Sequence, residues 1–400
     1  NSKSKSQKVS ITRYDMVKSA EELIREKIRL HGQIPFDEFM DIALYSEFGY
    51  YTRLDHLGRG GDYYTSPRIH PIFGTLLCAQ LFEMWKSLNE PEKFTIVEQG
   101  AGDTLLSDDI LGAAEEIDNR FYDSIEYILY DVRTIETKNP KSKSVVANEV
   151  DLTDITGVVL SNELVDAFPV KLIQIAQGQV KEYFVVQDSD ENFVELLLEP
   201  SSDILKNYFS QDELESLPGY EGPVNLHLKD WILNISKVLK RGYLITIDYG
   251  YERESYYSLE KSKKLLQTFY MHTTGSSPFQ RVGKQDITAH VDFSALERAG
   301  VDNGFSTVYK GKQSEWLNLL GFQDLIKVIA DQRGYRREIN FVNQLISEQG
   351  VGSFKVLIQS KGLSDIESKF PDVSKWINSI QTSIGPNINH LSRVDNYNIS

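Results

Sequence analysis

The chain has 400 residues, with 58 acidic side chains against 43 basic ones and a formal net charge of −15. Its 40% hydrophobic and 25% charged residues are an ordinary globular balance, and its length calls for one elaborated domain or two. An acidic average surface repels phosphate backbones, which disfavours nucleic acid as a partner. No apolar run approaches the roughly 18 residues of a membrane span, so no membrane association is expected. Asn1 to Lys8 is polar and lacks an apolar core, so no secretory signal is expected there. A lone cysteine, Cys78, excludes an internal disulfide, and no Cys/His spacing suggests a structural zinc site. These features predict an intracellular, cytoplasmic protein. The same charge balance makes an Arg- or Lys-bearing protein segment an electrostatically compatible partner.

In chain order, Ser19 to Leu30 carries Leu23, Ile24, Ile28 and Leu30 among charges and predicts an amphipathic helix. Ile34-Pro35-Phe36 opens a second helix through Leu44, and Tyr45 to Pro67, rich in Gly, Tyr and Asp, predicts a long structured loop. Ile72 to Trp85 returns to helix. Then come short apolar runs that stop at polar residues. Phe94 to Glu98 leads into Gly100-Ala101-Gly102 and a helical Leu105 to Ile117. Tyr127 to Tyr130 ends at Asp131, Val145-Val146 leads to Glu149 and Asp151, and Gly157 to Ser161 ends at Asn162-Glu163. Tyr243 to Ile247 ends at Asp248-Tyr249-Gly250, and Phe354 to Ile358 forms a last strand. Such runs alternating with helices predict an α/β, Rossmann-like parallel sheet buried on both faces, with ligands beyond the carboxyl ends of its strands. Between the fourth and fifth runs, Val180 to Val186 and Phe193 to Leu198 predict a β-hairpin. Ile204 to Leu239 then predicts helix interrupted at Pro218-Gly219.

The chemistry starts at Glu98-Gln99-Gly100-Ala101-Gly102-Asp103-Thr104. Glycines after a strand let the backbone turn tightly and approach a ligand, although an ordinary strand-to-helix turn needs none. A dinucleotide fingerprint wants a glycine where Leu105 stands, which argues against NAD, FAD and hydride transfer. Asp131 ends the next strand, 29 residues beyond Gly102, where a carboxylate accepts both hydroxyls of a ribose. Glu163 and Asp166 lie three apart beyond Asn162, and on a helical turn they share a face. Two carboxylates there hold a guanidinium bidentately or orient an amine, or serve as acids favoured at a helix N-terminus.

Together these stretches resemble the MidA-like family of S-adenosylmethionine-dependent methyltransferases, a family that includes a mitochondrial complex I assembly factor. The resemblance runs through Gly61-Asp62-Tyr63-Tyr64-Thr65-Ser66-Pro67, Phe73-Gly74, Glu98-x-Gly100-Ala101-Gly102 and Asp109-Ile110-Leu111. It continues in Asn162-Glu163-Leu164-Val165-Asp166-Ala167-Phe168-Pro169-Val170, Ile247-Asp248-Tyr249-Gly250 and Gln285 to Phe293. Trp316-Leu317 to Gly321 and Phe354-Lys355-Val356 close it, so roughly residues 34 to 360 are covered.

The resemblance implies a seven-stranded sheet, mostly parallel with its last strand antiparallel. It divides the chain into an N-terminal helical cover and loop (1–88), a methyltransferase domain (89–362, insertion about 172–240) and a C-terminal extension (363–400). It also implies S-adenosyl-L-methionine as cofactor and a protein acceptor methylated on an arginine-like nitrogen. On this reading Gly100 and Gly102 admit the methionyl backbone and Asp131 takes the ribose. Glu98 and Asn162 complete the cofactor set, and Asp62 and Thr65 close the pocket. Asn162, Glu163 and Asp166 orient the acceptor, with Glu163 as proton acceptor or charge partner, while Tyr249 and His290 line its channel.

The chain departs from the family pattern at four positions. Thr104 replaces the third glycine, Arg68 and Thr75 replace acids, and Pro223 stands where an acid precedes the fifth strand's helix. Thr104 is compatible with cofactor binding if its φ is negative and its hydroxyl points away from the methionyl group. A catalytically weak methyltransferase-fold scaffold that binds a protein partner is the alternative these departures favour. His290-Val291-Asp292, completed by His272 or another histidine, offers a facial-triad pattern for iron, but with seven histidines such a pattern is cheap and no metal is expected.

Overall fold

The computed structural model describes residues 19–53, 65–271, 273–275, 277–330 and 339–363. The chain packs as two compact units, one of residues 1–62, 167–227 and 254–289, the other of 63–166, 228–253 and 290–400. No described helix is long and apolar enough to cross a membrane.

In the first unit, the helix Ala20–His31 begins where the Ser19 hydroxyl accepts the Glu22 amide at 3.1 Å, and it buries Ile24 and Ile28. The helix Phe36–Tyr45 follows. Both share an apolar core with Val185, Phe193 and Ile287. The expected hairpin is present, Gln179–Gln187 pairing with Phe193–Leu198 in a register that sets Val185 opposite Glu195. It belongs to a five-stranded sheet with Ile34–Pro35, Lys171–Ala176 and Glu221–Val224. The last of these corrects the expectation of interrupted helix over Ile204 to Leu239. Beyond Pro218-Gly219 the chain runs as a strand against Lys171–Gln174 before helix resumes at His227–Val238. Pro223 is tolerated in that strand, and its carbonyl accepts the Tyr220 and Tyr256 hydroxyls.

The second unit holds the seven-stranded sheet. Its strands are β1 (Phe94–Gln99), β2 (Ile125–Asp131), β3 (Ser142–Val146), β4 (Ile155–Asn162), β5 (Leu239–Asp248), β6 (Ser306–Lys312) and β7 (Lys355–Lys361). They lie in the order β3-β2-β1-β4-β5-β7-β6, with β7 antiparallel to both neighbours and the β3-to-β5 run parallel. This is the class I methyltransferase arrangement. β1 and β4 are buried because both faces are covered, which is why they read as unbroken apolar runs. β6 escapes the sequence reading because Ser-Thr-Val-Tyr-Lys-Gly-Lys is an edge strand with a solvent face and no apolar run.

Helices α1 (Ser66–Ile69), α2 (Ile72–Ser87), α3 (Leu105–Ile117) and α4 (Phe293–Asp302) belong to this unit. α2, which the sequence reading assigns to the cover segment 1–88, is buried almost all round and packs into the sheet unit's core with Phe94, Ile110 and Trp316.

Candidate active site

The turn after β1 is built on two residues with positive φ, Gly100 at +72° and Gly102 at +66°. Only glycine takes such angles cheaply. A Cβ on Gly100 would meet Leu164 Cδ1 at 2.8 Å, so Leu164 closes one side of the turn. A Cβ on Gly102 would meet nothing within 4 Å, so the other side opens onto free space. Asp131, at the end of β2, faces this opening: its Oδ2 accepts the Gly102 amide at 2.8 Å. Its Oδ1 accepts the Arg133 amide at 3.0 Å, and the Arg133 guanidinium lies 3.5 Å away. A carboxylate offers about four acceptor positions, so capacity remains for hydroxyl donors.

Thr104 satisfies the first of the two conditions set for it, a negative φ. Its φ is −100°, and its hydroxyl donates to Asp108 Oδ2 at 2.9 Å, along α3. Asp103 Oδ1 caps α3 through the Leu105 amide at 2.9 Å, while Oδ2 pairs with the Arg68 guanidinium of α1. Glu98 is buried in the sheet, where the Tyr127 hydroxyl donates to it at 2.7 Å. Burial pushes its carboxyl up to about 8, assisted by nearby Asp103 and Asp131.

At the ends of β4 and β5 lies a cluster of three acids. Glu163 sits at φ +52°, a left-handed angle costing about 1–3 kcal/mol in a non-glycine residue. The Glu163 amide is tied to the Ile247 carbonyl at 2.9 Å. Contrary to the helical spacing expected for Glu163 and Asp166, Glu163 precedes the short 3-10 turn Val165–Ala167 and does not share a helix with Asp166. Asp248 brings them together. Its Oδ2 accepts the amides of Val165 at 3.0 Å and Asp166 at 3.2 Å, and its Oδ1 accepts that of Tyr249 at 2.8 Å. The loop carrying both acids is thus pinned to the end of β5.

The electrostatics follow from that packing. Burial, then the charge of Asp166, pushes the Glu163 carboxyl up to about 8. Hydrogen bonds from Asn162 and the Ser66 amide, with the nearby Arg68 charge, pull the other way. Asp248 is fully buried and pushed well above the carboxylate range, first by burial and then by Asp166 and Glu163. Such groups titrate as a unit. Asn162 Nδ2 donates to Glu163 at 3.1 Å, and its buried Oδ1 has no hydrogen-bond partner among the described residues.

Next to Asp248, an aromatic wall continues the cluster. The His290 ring meets Tyr249 edge-on at 4.9 Å and stacks on Tyr251 at 5.2 Å with 6° between planes. Phe354 lies 5.4 Å from Tyr249. The iron pattern finds no support here. Asp292 caps α4 through the Ala295 amide at 2.9 Å and faces Arg253 at 3.9 Å, and His272 lies outside the described residues. No group of three His, Cys, Asp or Glu able to hold a metal occurs among the described residues. Asp62 also lies outside the described residues, while Thr65 stands just before α1 and makes no side-chain cap.

Residues 76–310, more than half of the chain, match the profile of a family described as S-adenosyl-L-methionine-dependent methyltransferase. The chain belongs to this methyltransferase family. Among relatives of this methyltransferase is the mitochondrial protein arginine methyltransferase NDUFAF7 of Xenopus tropicalis, 25% identical, the match covering 84% of this chain and 85% of that one. The human protein of that name is 24% identical over 76% of this chain and 74% of its own. A crystal structure of a Burkholderia thailandensis protein bound to S-adenosyl-homocysteine superposes with a TM-score of 0.75 at 25% identity, over 87% of this chain and 93% of that one.

The cofactor of this methyltransferase is therefore S-adenosylmethionine, and its residues fit that molecule. The space over Gly102 is the cradle a side chain would fill, Asp131 stands beside it, and the orphaned Asn162 Oδ1 waits for a donor. Sequence reasoning brought Gly100, Gly102, Asp131, Asn162, Glu163 and Asp166 to the strand ends but missed Asp248 as the third acid. The signal was available, since Asp248 ends β5 as Asp131 ends β2.

Proposed function

We propose that this methyltransferase modifies a nitrogen of arginine type on a protein acceptor. The observation that carries the reading is the acid cluster of Glu163, Asp166 and Asp248 running directly into the Tyr249–His290–Tyr251 wall. Carboxylates and aromatic faces both favour a cation such as a guanidinium. The names carried by the relatives, and the chain's own acidic charge, support the same acceptor class.

When bound, the cofactor supplies a methyl group activated on a sulfonium, so the protein's work is alignment and proton handling. Asp131 would hold the ribose hydroxyls, and the open side of Gly102 would leave room for the cofactor. Asn162 Oδ1 accepts a hydrogen bond from cofactor or acceptor, and its Nδ2 steadies Glu163. Glu163 and Asp166 hold the acceptor cation, and a Glu163 oxygen takes the proton released as the N–C bond forms. Thr65, just before α1, would border the site. We place the protein inside the cell, in the cytoplasm or, in a eukaryote, the mitochondrial matrix.

The test is transfer of an isotopically labelled methyl group to cell-extract proteins, located by mass spectrometry, with the wild type and with Glu163→Gln. Label on arginine that disappears with the substitution supports the reading. Label on another residue type, or label untouched by the substitution, contradicts it.

A further inference from the structure

We infer that Arg68 and Asp103 form the subsite for the cofactor's amino-acid head, Arg68 taking its carboxylate and Asp103 its ammonium. The inference rests on the cofactor assignment and is independent of the acceptor proposed above.

The two side chains are matched in charge to an amino-acid zwitterion, and they stand beside the Gly102 turn. Asp103 follows Gly102, whose open side admits the ligand, and Arg68 reaches it from α1. Both side chains are about one-third exposed, at 31% and 34%, so the pair is accessible to a ligand and is no closed core bridge. Ion pairs this exposed to solvent contribute little on their own, so exchanging partners costs little. Each member has unused capacity. The Arg68 side chain makes one hydrogen bond among the described residues, through Nη2, leaving the rest of a planar fork suited to a carboxylate. Asp103 spends Oδ1 on the Leu105 amide, which fixes its orientation and leaves Oδ2 for Arg68 or an ammonium.

The arrangement also gives Arg68 a second neighbour. Its charge bears on Glu163, and the Ser66 amide from the same α1 donates to Glu163.

The experiment compares calorimetric binding of S-adenosylhomocysteine and of 5′-methylthioadenosine, which keeps the nucleoside and thioether but lacks the amino-acid head, to the full chain. For Arg68→Gln the expected result is a roughly tenfold to hundredfold weaker Kd for S-adenosylhomocysteine, with methylthioadenosine within about twofold of wild type. Arg68→Lys should recover part of the loss, and Asp103→Asn should again weaken only the ligand that has the head. Methylthioadenosine binding reports that each variant is folded. Parallel loss for both ligands, or no loss for S-adenosylhomocysteine, would overturn the subsite. A wild-type chain that binds neither ligand would overturn the cofactor assignment with it, a distinguishable outcome.

Discussion

The amide of Gly102 donates to the carboxylate of Asp131 at 2.8 Å, so the glycine turn after β1 and the acid ending β2 are one unit. The residue proposed to admit the ligand and the residue proposed to hold it are thus joined by a direct hydrogen bond. Asp131→Ala should therefore weaken S-adenosylhomocysteine by about 10- to 100-fold, the worth of hydrogen bonds to a charged group. Calorimetry checks this, and circular dichroism confirms that the fold survives.

The two glycines of the turn should respond differently. Alanine at either position suffers its positive φ, about 1 kcal/mol or more. At Gly100 the new methyl also meets Leu164 at 2.8 Å, whereas at Gly102 it enters open space. Gly100→Ala is expected to lose more stability in urea unfolding. Gly102→Ala should keep more stability but lose cofactor affinity, because its methyl occupies the cradle.

Glu163, pushed up to about 8 from 4.5, should leave its mark on activity. A base must be ionised to take a proton, so kcat/KM should rise with pH through the region near 8. Glu163→Gln should lower kcat about 10²- to 10⁴-fold and leave S-adenosylhomocysteine binding nearly intact. A flat profile from pH 6 to 9 in the wild type contradicts this role.

The same group makes a stability prediction of definite sign. Its folded value exceeds its unfolded one, so the folded state holds the extra proton between about 4.5 and 8. This group's contribution is fully present at low pH and is lost as pH rises through 8. Glu163→Gln removes the dependence, so its Tm relative to wild type should climb from pH 6 to pH 9.

Asp248 is expected to matter without touching a substrate. Asn in its place offers one acceptor oxygen where three amides converge, and an unsatisfied buried group costs about 1–3 kcal/mol. Asp248→Asn should lower Tm and release the Glu163 loop, so kcat should fall more than S-adenosylhomocysteine affinity.

Much of this was legible in the sequence where both faces of an element are buried. β1, β2, β4 and β5 announce themselves as apolar runs ending in Gly100, Asp131, Asn162 and Asp248, and strand ends are where the site lies. β6 and the strand Glu221–Val224 were not legible, because one is a polar edge and the other contains Gly222 and Pro223. The pairing of Glu163 with Asp166 was predicted by the wrong geometry: a helical turn was expected, and a left-handed residue pinned by a strand does the work. The Arg68–Asp103 pair, 35 residues apart in sequence, carries no periodic signal at all.

The most direct measurement is a crystal structure of the full chain with S-adenosylhomocysteine. The prediction is a ligand lying over Gly102 with its ribose hydroxyls about 2.5–3.0 Å from the Asp131 carboxylate. A ligand bound elsewhere, or a ribose held by other groups while Asp131 keeps only Gly102 and Arg133, contradicts it.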